Sequence, residues 1–237
     1  ARAMAVVKAN AYGHGLAWVA TTLKSADAFA VASVEEGLVL RAAGVKQPVV
    51  LLEGFFGADE LSSLQSRQLS PVLHSEHQLR LLEADSVPLP ASVWIKLDTG
   101  MHRIGFAPEM LTGVLARLRK LSGIRELRVL THLANADDVA DPRTRQQIES
   151  FHAKVNGLGF ETSLANSAGV VAWPESHADW VRPGIMLYGA APLLGKTAAE
   201  LNLEPVMTLE SALIAVHPRK RGDALGYGGS YVCPEDM

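Results

Sequence analysis

The sequence predicts an α/β protein, a (β/α)₈ TIM-type barrel followed by the start of a β-rich C-terminal domain. Short strand-like apolar runs recur about every 25 residues, each followed by a helical pattern. The runs are apolar throughout, as in strands covered on both faces. An open doubly wound sheet is the alternative, and eight runs within about 190 residues favour the barrel.

Eight runs are predicted to form the barrel strands. They are Met4–Lys8, Ala28–Ala32, Val49–Glu53, Pro71–Leu73, Val93–Leu97, Leu127–His132, Thr162–Asn166 and Val181–Leu187. Parallel strands need crossover connections, usually helices, and the clearest candidates are Val34–Ala43, Glu76–Ala84, Glu109–Leu121 and Thr144–Asn156. Ser33 and Glu36 form a Ser-x-x-Glu capping box at the first of these helices, and Ser75 precedes the second.

The alternation of strand and helix ends after Tyr188-Gly189. The apolar run Val206–Val216 has no helix after it, and the turn signals at Gly222-Asp223 and Gly226–Gly229 indicate the opening hairpin of a β domain. We therefore assign residues 1–203 to the barrel and 204–237 to a truncated second domain. The chain lacks an initiator Met and breaks off in a strand-like region, so we expect a fragment of a longer protein.

Composition narrows the class of protein. The 237 residues carry a net charge of −3, which argues against electrostatic binding of nucleic acid. The apolar fraction of 48% and the charged fraction of 20% are typical of a globular protein. A single cysteine, Cys233, rules out an intramolecular disulfide and a cysteine-based zinc site, and fits a cytoplasmic protein. No membrane-spanning run or signal peptide is present in the sequence.

Polar residues follow the predicted strands, where the ligand sites of such barrels lie. They are Lys8, Asn10, Tyr12, Glu53, Lys96, Asp98, Arg103, His132, Asn166, Ser167 and Arg182. Lys8 follows small apolar residues, so that desolvation would lower its pKa and suit it to Schiff-base chemistry; alternatively it extends from the strand edge to water. No metal-ligand spacing, Walker motif or dinucleotide fingerprint is found.

Other strand-end residues leave two readings open. Gly184 after Arg182, and the segment Asn166–Gly169, suit a phosphate site formed by the loops after the last two strands, or are ordinary turns. Arg103, bracketed by glycines, would clamp a carboxylate or lie at the surface. His132 alone is more often a structural residue than a functional one.

Six motifs, in order along the chain, resemble the alanine racemase family. The segment Ala5–Gly15 (AVVKANAYGHG) resembles its pyridoxal-phosphate lysine signature, and Trp94–Gly105 resembles its substrate-arginine loop. The others are Thr131–Asp137, with Leu133 where Phe is commoner, and Asn166-Ser167, Arg182–Ile185 and Gly226–Gly229. The resemblance implies a (β/α)₈ barrel followed by a β domain, and about thirty missing N-terminal residues with most of the β domain.

The resemblance also implies an activity and its residues. It implies pyridoxal-phosphate-dependent interconversion of L-alanine and D-alanine, supplying D-alanine for peptidoglycan. Lys8 would carry the cofactor and act as one base, and Tyr227, reaching across a homodimer, as the other. Arg182, held by His132, would donate to the pyridine nitrogen. Arg103 would bind the substrate, and Lys96 would be carbamylated. The phosphate would be bound by Tyr12, Asn166, Ser167, Gly184 and Ile185.

Three other functions remain open within the same fold. A broad-spectrum amino-acid racemase differs in pocket residues outside this chain. A pyridoxal-phosphate decarboxylase of basic amino acids would bring a glycine-rich phosphate loop and a catalytic cysteine that are not seen here. A pyridoxal-phosphate carrier would lack the β domain. The expected partners are alanine and a second subunit, with no metal, nucleic acid or membrane, and the fragment alone is expected to have little or no activity.

Overall fold

Eight parallel strands form a closed barrel in the computed structural model, which describes residues 1–84 and 86–237. The strands are β1 Arg2–Val6, β2 Ala28–Val31, β3 Val49–Leu51, β4 Leu69–Leu73, β5 Ser92–Lys96, β6 Glu126–Leu130, β7 Thr162–Ser163 and β8 Trp180–Val181. They follow one another around the barrel in chain order, and β8 pairs with β1. The predicted barrel is confirmed, and the open sheet is wrong because the two terminal strands are paired.

Helices surround the barrel. They are α1 Lys8–Tyr12, in which Ala9–Tyr12 form a left-handed turn rather than an α-helix, α2 Leu16–Thr22, α3 Val34–Ala42, α4 Leu61–Ser66, α5 Glu76–Glu83, α6 Leu111–Leu118, α7 Arg143–Val155 and α8 Ser167–Ala172. Short 3₁₀ turns lie at Ala58–Glu60, Pro108–Met110, Pro174–Ser176, Ile185–Tyr188, Ala199–Leu201 and Tyr227–Gly229. Among the described residues, no helix has the length and apolar character that crossing a membrane requires.

The strands are apolar on both faces because each face is buried. Met4 and Val6 of β1 lie inside the barrel with Val50, Val72 and other residues, whereas alternate residues pack outward beneath the helices. Burying an aliphatic side chain contributes about 1.5–3 kcal/mol, so both layers stabilise the barrel. This two-sided burial explains why the runs are continuous rather than alternating.

Serine caps begin two of the predicted helices. The Ser33 Oγ accepts from the Glu36 N–H at 3.5 Å, and the Ser75 Oγ accepts from the Gln78 N–H at 3.3 Å. The Glu36 carboxylate does not complete a capping box. It accepts instead from the N–H groups of Ala32 and Asn10, at 2.8 and 3.2 Å, and so ties α3 to the segment after β1.

Several predicted strands end earlier than expected; Thr162–Asn166, for example, keeps only Thr162–Ser163 in the sheet. Two of these early ends bear on the site. The run Val181–Leu187 holds only the end of β8, because Pro183 has no N–H for a strand ladder, and a 3₁₀ turn begins at Ile185. The run Met4–Lys8 corresponds to β1 Arg2–Val6; the chain leaves the sheet after Val6, and the backbone is left-handed from Ala9. Both departures lie at the carboxyl ends of strands, and each frees a backbone segment to line a site.

The chain divides into two compact units, Ala1–Val206 and Met207–Met237. In the second unit, the described residues contain one antiparallel pair, β9 Ala224–Leu225 with β10 Tyr231–Val232. The predicted strand over Val206–Val216 is not formed. A strand needs a hydrogen-bonded neighbour, and no described segment pairs with this one.

Candidate functional site

A cavity of about 640 Å³ lies at the carboxyl ends of the barrel strands. Its lining includes ten of the predicted site residues: Lys8, Tyr12, Lys96, Arg103, His132, Asn166, Ser167, Arg182, Gly184 and Ile185. The barrel therefore brings together residues separated by up to 177 positions in the sequence. Tyr227 lies in the unit Met207–Met237, where its side chain is exposed.

Lys8 stands at the junction between β1 and an unusual backbone segment. Ala9, Asn10, Ala11 and Tyr12 have φ values of 54°, 53°, 55° and 52°, all in the left-handed region. Left-handed helical backbone costs non-glycine residues roughly 1–2 kcal/mol each. This single left-handed turn holds Lys8 and Tyr12 at the mouth of the cavity, and strain of this kind is typical of functional sites.

Arg182 is a buried guanidinium held by several acceptors. Its Nη1 donates to the Ser163 Oγ at 2.6 Å, and its Nη2 donates to the carbonyl oxygens of Thr131 and Leu164 at 2.5 and 3.1 Å. Burial lowers its pKa to about 10, so it stays charged at neutral pH. Its Nε–H has no partner among the described residues and is available to an acceptor in the cavity.

His132 acts as an acceptor for Arg182. The Arg182 Nη2 lies 3.3 Å from the His132 Nδ1, and because a guanidinium only donates, Nδ1 must carry the lone pair. Burial, followed by the charges of Arg182, Lys96 and Arg103, lowers the pKa of His132 well below its ordinary value. His132 is therefore neutral and holds the guanidinium in place.

The hydroxyls of Tyr12 and Ser167 lie with Gly184 and Ile185 at one side of the cavity, and we name these four residues the anion corner. The Ser167 Oγ accepts from the N–H groups of Gly184 and Met186 at 2.8 and 3.3 Å, which leaves its own hydrogen free to donate. A Cβ on Gly184 would lie 2.8 Å from the Tyr12 hydroxyl oxygen, so only glycine lets the two approach. Burial raises the pKa of Tyr12, which keeps its hydroxyl protonated as a donor.

Asn166 lines the cavity, but its side chain is already bonded. Its Oδ1 caps α8 by accepting from the Gly169 N–H at 2.9 Å, and its Nδ2 donates to the Leu133 carbonyl at 3.2 Å. In this geometry Asn166 orients Ser167, the first residue of α8, at the anion corner.

Lys96 is a buried lysine without a hydrogen-bond partner among the described residues. It is 6% exposed, and burial, then the charges of Arg103 and Arg182, lower its pKa to about 8. With Lys8 the cavity therefore holds four basic side chains, whereas Glu53 and Asp137 are the only acidic ones in the described lining. Such a pocket favours an anionic ligand.

Arg103 lies on a loop that is fixed by Asp98. The Asp98 Oδ1 accepts from the N–H groups of Gly100, Met101 and His102, each at 3.0 Å. Gly105 has φ +136°, and a Cβ there would lie 2.8 Å from the Asp98 nitrogen. The loop needs this glycine to close, and it places an exposed guanidinium at the rim of the cavity.

Some lining residues were not singled out from the sequence. His74 follows β4 directly, and the strand-end argument applied to that run would have found it. Its Nε2 donates to the Glu53 carbonyl at 3.0 Å, and burial lowers its pKa. Leu193 and Leu194 come from a loop beyond the last strand and carry no polar signal.

The fold and the cavity together define a class of protein. It is a (β/α)₈ barrel in which a lysine, a buried arginine and the anion corner line one cavity at the strand ends. The family model "Alanine racemase, N-terminal domain" matches residues 1–192. The chain belongs to the alanine racemase family, as the sequence motifs predicted.

Individual relatives agree with this assignment. Alanine racemase from Aeromonas hydrophila is 47% identical over 234 residues, covering 98% of this chain and 66% of the relative. The structure of biosynthetic alanine racemase from Pseudomonas aeruginosa has a TM-score of 0.89 at 45% identity, covering 99% of this chain and 66% of that one. Alanine racemase from Bartonella henselae with covalently bound pyridoxal phosphate has a TM-score of 0.80 at 29% identity, covering 99% and 66%.

The chain thus spans 66% of the length of these relatives. Both the curated relative and the solved structures are named alanine racemases, so the alternative of a broad-spectrum amino-acid racemase is not favoured.

Proposed function

We propose that this chain is the cofactor-binding barrel of an enzyme that interconverts L-alanine and D-alanine with pyridoxal phosphate. The observation that carries the proposal is the convergence of Lys8, Arg182 and the anion corner on one basic cavity. The relative from Bartonella henselae with covalently bound pyridoxal phosphate supports the choice of cofactor.

The residues present fit pyridoxal phosphate. The free Nε–H of Arg182 suits an aromatic nitrogen, which accepts a hydrogen bond. The hydroxyls of Tyr12 and Ser167, beside Gly184, suit a phosphate group, because each has a hydrogen to donate. Lys8 supplies the amine that would hold the aldehyde carbon covalently. The basic lining matches the negative charge of the phosphate and of an amino-acid carboxylate.

The chain's own residues would move a proton at the substrate α-carbon. When bound, pyridoxal phosphate supplies an electron-withdrawing ring that makes this proton removable. The Lys8 Nζ would take or return the proton on one face, and the Tyr227 Oη on the other, because racemisation needs acid–base groups on opposite faces. Arg182, held charged, would donate to the ring nitrogen and leave it unprotonated, which limits side reactions.

Lys96 and Arg103 would bind the substrate side of the site. A buried, partly neutral amine is the form of lysine that adds CO₂, so the lowered pKa of Lys96 supports its carbamylation. A carbamate would replace one of four positive charges by a negative one and pair with the Arg103 guanidinium, which would then face the substrate carboxylate.

The remaining assignments follow from the resemblance. We propose that residues 204–237 begin a second, β-rich domain, and that Tyr227 acts in the site of a partner subunit, so that the working unit is a homodimer. We further propose that the protein acts in the cytoplasm and supplies D-alanine for peptidoglycan.

Trapping the cofactor on this chain tests the proposal. The chain is incubated with pyridoxal phosphate, reduced with borohydride, digested and analysed by mass spectrometry. We expect one modified lysine, Lys8, because the anion corner and Arg182 orient the aldehyde toward it. A variant with Lys8→Arg should lose the label while Lys24, an exposed lysine, stays unmodified in both proteins.

Two results would contradict the proposal. One is labelling spread over exposed lysines at equal yield, and the other is labelling of Lys96 in preference to Lys8. Racemisation of L-alanine is then measured, by the appearance of D-alanine, on the longer protein of which this chain is expected to be a part, with the Lys8→Arg variant as the inactive control.

A further inference from the structure

The left-handed turn after Lys8 includes Tyr12, whose hydroxyl belongs to the anion corner. Four consecutive non-glycine residues in this region do not hold their conformation by intrinsic preference. The turn must therefore be fixed by contacts outside its own backbone, and His14 makes several of them.

His14 bonds to the carbonyl ends of the turn. Its Nδ1 lies 3.1 Å from the Ala11 oxygen and 3.1 Å from the Tyr12 oxygen. Carbonyl oxygens only accept hydrogen bonds, so the Nδ1 must carry the hydrogen and donate to both. The ring is thus in the Nδ1–H form, and it binds the last two left-handed residues.

His14 also belongs to a stack of three rings. The Tyr188 ring stacks with both the Tyr12 and the His14 ring, with centroid distances of 4.8 and 4.7 Å and interplanar angles of 29° in both pairs. Tyr188 is itself fixed, because its buried hydroxyl donates to the Val6 carbonyl of β1 at 3.1 Å. The stack therefore connects the Tyr12 ring to the barrel wall through a rigid partner.

We propose that His14 is a positioning residue that sets the Tyr12 hydroxyl at the anion corner, and that its Nδ1–H is the group responsible. This inference rests on the proposed binding of pyridoxal phosphate. It deepens that function, because it predicts that His14 acts on the phosphate group alone and through Tyr12, without touching the ligand.

The experiment compares pyridoxal phosphate with pyridoxal, which lacks the phosphate, as ligands of the same protein sample. The dissociation constants are measured by absorbance, and their ratio gives the phosphate preference. His14→Ala should reduce this preference about fivefold to tenfold, the effect of a lost hydrogen bond, while binding of pyridoxal stays unchanged. Using one sample for both ligands cancels any loss of folded protein.

Two matched variants separate the hydrogen bond from the ring. His14→Asn places an amide N–H near the position of Nδ1 and removes the stack, and it should keep the preference within about twofold. His14→Phe keeps the ring and removes the donor, and it should lose the preference as His14→Ala does. In a Tyr12→Phe background, His14→Ala should have no further effect, because the hydroxyl that it positions is gone.

The outcomes decide between the proposals. Equal weakening of both ligands by His14→Ala, no change in the preference, or rescue by Phe rather than Asn would each overturn the role of His14. If the unmodified chain binds pyridoxal phosphate no better than pyridoxal, the proposed phosphate site itself fails, and the role of His14 fails with it.

Discussion

At the scale of single residues, Lys96 shows how the cavity depends on pH. Its pKa is about 8 in the folded protein, below the ordinary 10.5, first because of burial. The folded state therefore binds fewer protons than the unfolded state between these two values. Stability rises with pH across this window, and the full penalty of about 3 kcal/mol at most is present below pH 8.

We predict that Lys96→Met raises the free energy of unfolding at pH 7 in CO₂-free buffer, because methionine removes the buried charge and its repulsion by Arg103 and Arg182. The gain should shrink between pH 8 and 10.5. Urea unfolding at several pH values measures it, with Lys24→Met, a change at an exposed lysine, as the control. A difference that stays constant with pH would show that Lys96 is not a titrating buried group.

At the scale of elements, the connection after β8 shapes the anion corner. A Cβ at Gly184 would lie 2.8 Å from the Tyr12 hydroxyl oxygen, so we predict that Gly184→Ala weakens binding of pyridoxal phosphate at least about tenfold by displacing that hydroxyl. The matched control is Gly113→Ala in the exposed face of α6, where a Cβ meets nothing within 4 Å.

The Gly113→Ala control is itself expected to change the stability of the protein. Alanine is a better helix former than glycine, so Gly113→Ala should stabilise the protein by roughly 0.5–1 kcal/mol with no effect on binding. Thermal unfolding and the absorbance titration give both quantities. If Gly184→Ala bound pyridoxal phosphate as tightly as the unchanged chain, the Tyr12 hydroxyl would have moved within the anion corner without loss of affinity, contrary to the steric argument.

Some elements could be predicted from the sequence, whereas the left-handed turn at Ala9–Tyr12 could not. The period of the apolar runs predicted the barrel, because two-sided burial imposes continuous apolar strands, and strand-end polarity predicted the cavity residues. The left-handed turn at Ala9–Tyr12 had no such signal, since alanine and tyrosine disfavour that backbone. Its conformation comes from tertiary contacts such as those of His14 and Glu36, which local patterns do not encode.

The same limit explains the remaining differences. Asn166 was expected to bind the phosphate and lines the cavity; its bonds to Gly169 and Leu133 are partners that only the folded structure shows. The lining residues Leu193 and Leu194 depend on how a connection folds over the mouth, whereas His74 follows β4 directly and the strand-end argument would have found it. Motif resemblance named His132 as the residue that holds Arg182, but it gave no role to His14, which bonds to the turn after Lys8.

At the scale of the whole barrel, closure depends on a short seam. β1 and β8 are registered over two residue pairs, Arg2 with Trp180 and Ala3 with Val181. Glu161 reinforces the seam at the opposite end from the cavity. It pairs with Arg2 of β1, and it accepts from the Arg128 Nε of β6 at 2.6 Å and from the Trp180 Nε1 of β8 at 3.1 Å. One carboxylate thus connects three strands.

Partial burial acts to raise the pKa of Glu161, but the hydrogen bonds from Arg128, Arg2 and Trp180 outweigh it and lower the pKa from 4.5 to about 2. A carboxyl with a lowered folded pKa stabilises the protein above its unfolded value, and this contribution is lost as pH falls from 4.5 toward 2. The side chain is 38% exposed, so solvent screening limits the contribution to about 1 kcal/mol at pH 7.

We predict that Glu161→Gln lowers the free energy of unfolding by about 1 kcal/mol at pH 7, and that the variant and the parent converge as the pH is lowered toward 2. Urea unfolding followed by tryptophan fluorescence measures this, because Trp180 lies in β8 at the seam and its ring centroid is 6.2 Å from that of Trp94 in β5. Glu149→Gln, at an exposed position on α7, should leave the curve unchanged. If the Glu161 variant keeps the same deficit at pH 3 as at pH 7, the contribution of this side chain comes from its shape and packing rather than from its charge, contrary to the prediction.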